Sequence, residues 1–285
     1  MLYLPFQHNL SNPFPGQEFY GSLLQQMPLL IERGSDPISV AGAIGRRESA
    51  PADVIDEWKN NYIFTGDGAA YDGRKNAKLV LDAALLREIN QNTKLTNGAM
   101  ILSNDQWEEL HGDDVLYLSA DKVNQAHEKG FVKRNGVWQP ENTVVGEVWE
   151  HLGRGKDLKD YAEMVSKASN SNKVVWLWFD RNNYTSPVMR SLVLDSFGDY
   201  SYVFGNYDLN YYLGRLVGVA PEAQVAREKS ATRKTTPYRE QALAVAPTLD
   251  EVMGIISSEN EGYVPTVIKE QYEEKLRKAL GSLLK

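Results

Sequence analysis

Two places in the sequence carry carboxylates that could act as a general acid or base. Asp180 follows the apolar run 173–179, and so would lie at a strand end, where many enzymes place a base. His151 has Glu147 and Glu150 close to it in sequence. Such chemistry also needs a partner and a pocket, and no nucleophile or matched pair occurs at a diagnostic spacing. A turn at DRNN and a solvated helix account for these residues, so the sequence predicts no catalytic residue.

The segment TGDGAAYDG, residues 65–73, places Asp67 and Asp72 beside glycines. Their oxygens could hold a hard cation, but the third and fourth carboxylates of a calcium loop are missing, and such aspartates are typical of turns. Neither a P-loop lysine nor a GxGxxG spacing is present to hold a phosphate. Cysteine is absent and the four histidines are scattered, which argues against zinc. The sequence therefore predicts no metal and no cofactor.

Residues 189–219, MRSLVLDSFGDYSYVFGNYDLNYYLGRLVGV, indicate binding chemistry instead. Between a strand-like start and a closing strand at 215–219, most residues are Tyr, Asn, Asp, Ser, Gly or Phe. Tyrosine gives a large rigid contact area, and the small polar residues give adaptable hydrogen bonds, as in antibody loops. An irregular β-hairpin with half-buried aromatic residues is the open alternative. The predicted ligand-binding side chains are Asp199, Tyr200, Tyr202, Phe204, Asn206, Tyr207, Asp208, Asn210, Tyr211 and Tyr212.

Composition limits the possible partners. The chain has 285 residues and a formal net charge of −7, so it lacks the basic excess that neutralises phosphates, and nucleic acid is not an expected partner. The first residues have no basic n-region or unbroken apolar run, and no later segment approaches a membrane span. The expected location is the cytoplasm, with association with a virion left open.

The elements that must position the surface follow from hydrophobic periodicity and from capping residues. Before residue 98 the pattern predicts an extended arm, a helix over 17–33, a short helix after Pro51, a short strand at 62–64 that ends in the loop 65–73, and a strong helix over 74–89. Residues 1–97 are therefore expected to form a mainly helical segment.

From Gly98 onward, short strands and helices alternate. Asn135-Gly136, between FVKR and VWQ, predicts a hairpin with a type I′ turn. The continuously apolar run KVVWLWF, residues 173–179, predicts a buried central strand. Ser103 and Gln106 fit a capping box. The remaining predicted strands and helices in this part lie at 99–102, 103–110, 114–118, 120–129, 143–152 and 158–168.

The segment TVVGEVWEHLGRG, residues 143–155, resembles the TEAEWEYAARG-type segment of the formylglycine-generating-enzyme subgroup of C-type lectin folds. Together with the strand and the Tyr/Asn/Asp-rich stretch that follow, it is similar to the variable proteins of diversity-generating retroelements. The pattern MRSLVL…S-Y-V-F-G…L…GRLVGVAPEA resembles the variable cassette of such a protein. Asn codons (AAC or AAT) mutated at their adenines yield Asn, Tyr, Asp, Ser, His and Phe, which is the kind of mixture found here.

The resemblance covers about residues 98–222 and implies an α+β fold with a non-catalytic, ligand-binding role. It places a C-type lectin-like domain at 98–246, with the variable region at about 189–219, and a C-terminal helical extension at 247–285. Two departures matter: a long tail follows the variable region, and the cysteines required by the oxidases of the wider fold are absent. Oxidase chemistry is therefore not expected.

The implied partner is a protein ligand. Two other classes stay open, namely a carboxylate-dependent hydrolase or transferase that uses Asp67, Asp72 or Asp180, and a viral or structural interaction protein. A surface that accepts many residue types cannot use them for packing. The side chains expected to be mostly exposed are Tyr200, Tyr202, Tyr207, Asp208, Asn210, Tyr211 and Tyr212. Those expected to be buried are Leu192, Leu194, Val203, Leu209, Leu216 and Val217.

Overall fold

The computed structural model of the chain describes residues 16–50, 54–212 and 214–219. The chain divides into two compact units, residues 1–228 and 229–285, and every described residue belongs to the first. The helices expected after residue 247 therefore lie outside the described residues. Within the described ranges no helix is both long enough and apolar enough to cross a membrane.

Short helices and strands alternate throughout the described ranges. The helices are α1 (Leu23–Glu32), α2 (Val40–Ser49), α3 (Ile55–Asn60), α4 (Ala84–Arg87), α5 (Asn104–Glu109), α6 (Ala120–Ala126), α7 (Thr143–Leu152) and α8 (Lys159–Ser169). The strands are β1 (Gly16–Tyr20), β2 (Asp36–Pro37), β3 (Ile63–Tyr71), β4 (Ala77–Val80), β5 (Leu95–Thr96), β6 (Ala99–Ile101), β7 (Val115–Leu118), β8 (Lys129–Arg134), β9 (Val137–Pro140), β10 (Lys173–Trp178), β11 (Val188–Leu194), β12 (Val203–Phe204) and β13 (Arg215–Val219).

One mixed sheet joins these strands. Its main path runs β1-β13-β3-β11-β12-β10-β8-β9, and β2, β4, β5, β6 and β7 branch from it. The long antiparallel pair β3 and β11 forms its middle, with Val188 opposite Tyr71 and Leu194 opposite Ile63. The predicted α+β class is confirmed.

The central strand β3 includes most of the segment predicted as the loop 65–73, and that prediction is wrong. All nine residues of β3 are buried. Its glycines leave room for close neighbours, since a Cβ on Gly66 would lie 2.8 Å from Pro37 Cγ and one on Gly68 would lie 3.2 Å from Ala83 Cβ. Glycine in a strand often marks such a close approach, and in the sequence alone it resembles a turn.

The prediction of a strong helix over 74–89 is also wrong. Strand β4 occupies its first half, pairs with β3 on one side and β7 on the other, and is buried at every residue. Only the four residues of α4 are helical. Pairing on both edges satisfies the backbone of β4, and this tertiary context overrides the helix propensity of the segment.

Residues 16–97 are not the mainly helical segment that was expected. Strand β1 pairs along its whole length with β13, and β3 pairs with β11 and β13, so strands from both sides of residue 97 share one sheet. The helix predicted over 17–33 begins only at Leu23, because β1 takes up the residues before it. The described chain therefore has no domain boundary at residue 97.

Several local predictions after residue 98 are confirmed. The hairpin of β8 and β9 turns at Asn135 and Gly136, whose φ angles of 52° and 80° match a type I′ turn. Ser103 and Gln106 form the predicted capping box of α5. Helix α7 has its predicted bounds, 143–152.

Helices α7 and α8 support β10 from the core side. Trp149 of α7 is 2% exposed, and its indole N–H donates to the carbonyl of Val175 over 3.1 Å. Tyr161 of α8 is fully buried. The Trp149 hydrogen bond joins α7 to β10 directly.

Gly130 of β8 is required by the close approach of β10. A Cβ at Gly130 would lie 2.4 Å from the carbonyl oxygen of Val174 and 2.8 Å from that of Val175, and backbone atoms cannot move aside. We expect Gly130→Ala to lower the free energy of unfolding by about 3 kcal/mol, the cost of a forced overlap. Chemical denaturation of the variant and the wild type measures this change in the free energy of unfolding.

Gly146→Ala is the matched control, since the nearest atom to its added Cβ, Pro140 Cγ, is at an ordinary 3.6 Å. Gly146 lies inside α7, so this change should raise stability by about 0.5–1 kcal/mol. Equal effects of the two substitutions would contradict the packing described here.

Candidate functional site

Two adjacent parallel strands set the spacing of the site. β10 and β12 pair with Leu177 opposite Val203 and Trp178 opposite Phe204. Successive side chains of a strand point to opposite faces. Leu177 and Val203 are buried in the core, whereas Trp178 and Phe204 are only half-buried, so the latter pair lies on the outer face.

The run 173–179 is therefore not buried on both faces as predicted. Val174, Val175 and Leu177 belong to the core, but Trp176 and Trp178 are half-buried on the outer side. The strand is apolar throughout because one face packs inward and the other carries aromatic rings.

Aromatic rings continue across this outer face. Tyr200 stacks on Trp176 with ring centroids 6.4 Å apart, and Trp176 meets Tyr202 edge-on at 5.5 Å. Tyr202 in turn contacts Trp178 at 6.1 Å and Phe204 at 5.2 Å. Offset and edge-to-face contacts of this kind stabilise the rings beyond their burial.

From Phe204 the ring contacts extend to the far end of the stretch. Tyr207 lies 5.2 Å from Phe204, Tyr211 lies 5.7 Å from Tyr207, and Tyr212 lies 5.7 Å from Tyr211. Tyr62, which precedes β3, flanks Tyr207 at 6.0 Å. We call this group the aromatic surface; its members are Tyr62, Trp176, Trp178, Tyr200, Tyr202, Phe204, Tyr207, Tyr211 and Tyr212.

The structure separates the ten predicted side chains into two groups. The exposed ones are Asp199, Tyr200, Asp208, Asn210 and Tyr212, and the half-buried ones are Tyr202, Phe204, Asn206, Tyr207 and Tyr211. The expectation that Tyr202, Tyr207 and Tyr211 are mostly exposed is therefore wrong. Tyr202 packs edge-on against two tryptophans of β10, whereas Tyr207 and Tyr211 pack against the core and edge-on against each other. All six positions expected in the core, from Leu192 to Val217, are buried.

Sequence reasoning missed four rings of this region, namely Tyr62, His127, Trp176 and Trp178. His127 lies against Trp178 in a tilted arrangement, with ring centroids 5.0 Å apart. A signal for two of them exists in the sequence, since Trp176 and Trp178 are spaced two apart and therefore share one face of a strand. The other two come from distant segments, and only the fold brings them next to these rings, Tyr62 half-buried and His127 buried.

Buried Arg47 fixes one end of the predicted variable stretch. This α2 residue is fully buried. Its Nη1 donates to the carbonyl of Asp195 over 2.6 Å and to Ser201 Oγ over 3.0 Å. Its other N–H groups donate to the carbonyls of Trp58 and Asn61 over 2.7 and 2.8 Å. The turn between residues 195 and 201 is thus tied to the core from beneath.

Buried Arg190 of β11 fixes the other end. Its Nε donates to Asp180 Oδ2 over 2.6 Å, and its Nη1 donates to the carbonyl of Tyr207 over 3.0 Å and to Asp208 Oδ1 over 2.9 Å. Its Nη2 donates to the carbonyl of Asn97 and, over 3.0 Å, to the hydroxyl of Tyr184. The loop after β12 is thereby held by a guanidinium whose own charge is met by Asp180.

Backbone hydrogen bonds complete the attachment. The Gly205 N–H donates to the carbonyl of Trp178 over 2.7 Å, and the Leu209 N–H donates to the carbonyl of Gly98 over 2.8 Å. Gly98 has a φ of +73°, and an added Cβ would overlap the Asp208 side chain. The backbone of the stretch is therefore built into the scaffold, while many of its side chains point outward.

Carboxylates border the tyrosine hydroxyls. Burial raises the pKa of Tyr202 and of Tyr207, and the charges of Asp195 and Asp199 raise the pKa of both further. Glu128 adds to this effect at Tyr202. Both hydroxyls are therefore protonated at neutral pH and can donate hydrogen bonds.

The carboxylates considered for catalysis all have structural partners. Asp72 accepts from the backbone N–H groups of Arg74 and Asn76, as a turn residue does. Buried Asp67 accepts from the N–H groups of Val40 and Asp82, and its burial raises its pKa to about 6. Asp180 also accepts from the Tyr184 hydroxyl over 2.5 Å.

The structure also shows the surroundings of His151 and Glu147 and tests for a metal site. His151 is not a freely solvated helix position, because its Nε2 lies 3.1 Å from the carbonyl of Leu79, and burial lowers its pKa. Glu147 is exposed and pairs with Lys122 over 2.7 Å. Among the described residues no group of three or more His, Asp or Glu side chains is arranged to hold a metal ion.

Comparison with known proteins supports the fold. No protein-family model matches the chain, and no curated protein matches it. A solved structure described as "Accommodation of massive sequence variation in Nanoarchaeota by the C-type lectin fold" matches with a TM-score of 0.52 and 18% sequence identity. The match covers 73% of this chain and 99% of the other. The protein thus has an α+β structure with a C-type lectin fold.

Asp195 makes stability depend on pH. Burial raises its pKa from 3.8 to about 6, so the folded chain holds this proton more tightly than the unfolded chain does. Its contribution to the free energy of unfolding therefore falls as pH rises from about 4 to 6, and stays low above that. We expect Asp195→Asn to be more stable than the wild type by about 1–3 kcal/mol at neutral pH, with the difference shrinking towards pH 4.

Urea denaturation at several pH values measures this difference. The asparagine retains an acceptor for the Ser196 N–H, which bonds Asp195 Oδ1 over 2.7 Å. Asp113→Asn, at an exposed position, is the control for a change of charge alone. A stability difference between Asp195→Asn and the wild type that does not vary with pH would contradict the assignment.

Proposed function

We propose that this is a non-catalytic binding protein that presents the aromatic surface and its polar neighbours to a protein ligand. The observation that carries the proposal is that the backbone of one stretch is fixed to the scaffold while many of its side chains face outward. The backbone of residues 195–209 is bonded to Arg47, Arg190 and neighbouring strands, while side chains between the buried positions face outward. The proposed ligand-binding residues are the ten predicted ones, Asp199, Tyr200, Tyr202, Phe204, Asn206, Tyr207, Asp208, Asn210, Tyr211 and Tyr212, joined by Trp176 and Trp178.

The energetics of protein interfaces support this assignment. A few Tyr and Trp anchors in well-packed positions usually dominate binding, while surrounding polar groups set specificity. Rings already packed against one another lose little freedom when a ligand covers them, so less of the binding energy is spent on ordering.

We infer further that a retroelement diversifies the gene segment for about residues 189–219. The outward positions carry the residue types that adenine mutation of Asn codons produces, and the inward positions Leu192, Leu194, Val203 and Leu209 are apolar and buried. The fold neighbour is described in terms of sequence variation accommodated by the same fold, which fits this proposal.

The test is to sequence this gene in many independent isolates of its source. We expect substitutions to concentrate in the codons of the ten proposed ligand-binding residues and to fall on adenines of a template copy. The codons of Val203 and Leu209, which are adjacent to variable positions but buried, are the internal control and should stay constant. Substitutions spread evenly over 189–219, or over the whole gene, would remove the retroelement proposal.

A further inference from the structure

We propose that the ligand of the aromatic surface is a basic protein segment, one that places Lys or Arg side chains on the exposed rings. This inference rests on the proposed binding function and specifies its partner. Its basis is that a continuous set of aromatic faces is bordered by carboxylates from two separate parts of the chain, residues 128 and 195–208.

Glu128 provides the first acidic border. It directly follows His127, whose ring contacts that of Trp178. Its own N–H donates to the carbonyl of Leu177 over 2.8 Å, and its φ of 56° turns the chain sharply at this point. The side chain is exposed. The backbone of Glu128 is thus held beside Trp178, and its charge acts on the Tyr202 hydroxyl.

Asp199 provides the second acidic border. It is exposed, precedes Tyr200, and accepts a hydrogen bond from Ser196 Oγ over 2.8 Å. Asp195 is buried, and Asp208 is exposed at the far end, although Arg190 offsets its charge. Glu128 and Asp199 are therefore the exposed carboxylates that a ligand would meet.

Positive charge near this edge comes from Lys129, opposite Leu177, and from Arg181; Lys129 pairs with Glu141 over 3.9 Å. Arg181 is exposed and acts on His127. The guanidinium groups of Arg47 and Arg190 are buried and turned to internal acceptors. The chain as a whole carries a net charge of −7, which would draw in a cationic partner and repel an acidic one.

The chemistry of these groups favours a cation. An ammonium or guanidinium group is attracted to the face of Trp or Tyr, more strongly where water is partly excluded. A carboxylate at the ring edge would then receive the N–H groups of the same side chain. A neutral sugar would also stack on the rings, but it would gain nothing from the net charge of the borders.

The experiment selects ligands without bias. Random peptides displayed on phage are panned against the full chain, and the affinities of enriched synthetic peptides are measured by fluorescence anisotropy at low and high salt. A neutral glycan array is probed in parallel. Two charge-neutralised variants are compared, Glu128→Gln/Asp199→Asn at the borders and Glu109→Gln/Glu150→Gln at exposed positions on α5 and α7. Trp178→Ala tests the ring, with thermal denaturation as the check on folding.

We expect enriched peptides with net positive charge, whose affinity falls with salt. The border variant should weaken binding several-fold, the other double variant should leave it unchanged, and Trp178→Ala should weaken it at least about tenfold, as truncation of an interface anchor does.

The opposite outcomes are distinct. Neutral or acidic peptides, or glycans, that bind through Trp178 would overturn the basic partner and leave the binding function intact. If nothing is enriched, or if enriched peptides ignore both Trp178 and the borders, the basic partner and the binding surface fall together.

Discussion

Two buried guanidinium groups are the constraint on which the rest of this structure depends. A buried arginine is costly unless its N–H groups are bonded. Four of the acceptors that Arg47 and Arg190 use lie within residues 195–208, namely the carbonyls of Asp195 and Tyr207, Ser201 Oγ and Asp208 Oδ1. A rearrangement of the loop backbone would take these acceptors away from buried cations, so the loop is held in one conformation. Of its outward side chains, Asp208 takes part in this attachment.

This arrangement explains how a stretch rich in Asn, Asp, Gly and Ser can be well ordered. Such residues supply little apolar packing, and loops made of them are usually mobile. Here the order comes from below, through the arginines and from Leu209 and Val203 in the core. The half-buried rings of Tyr202 and Tyr207 add lateral packing. The exposed positions are Asp199, Tyr200, Asp208, Asn210 and Tyr212, so this surface combines exposed side chains with rings that stabilise it.

Local signals in the sequence predicted the elements whose structure is set locally. The Asn135-Gly136 turn, the capping box at Ser103 and helix α7 needed only neighbouring residues. The predictions for residues 65–89 were wrong because the glycines and alanines of this segment pack against residues distant in sequence, within the buried strands β3 and β4. The roles of Arg47 and Arg190 could not be predicted either, because nothing in the sequence around an arginine in a helix or a strand indicates which distant loop it will bond.

Hydrogen exchange at the Gly205 and Leu209 amides tests the central claim most directly, namely that the loop backbone is held independently of the exposed side chains of Tyr200, Asn210 and Tyr212. Both N–H groups donate to scaffold carbonyls. Exchange is compared between the wild type and a variant with Tyr200, Asn210 and Tyr212 all changed to serine. The account predicts equal protection in the two proteins. Loss of protection in the variant would contradict it, because the outward side chains would then be part of what holds the fold.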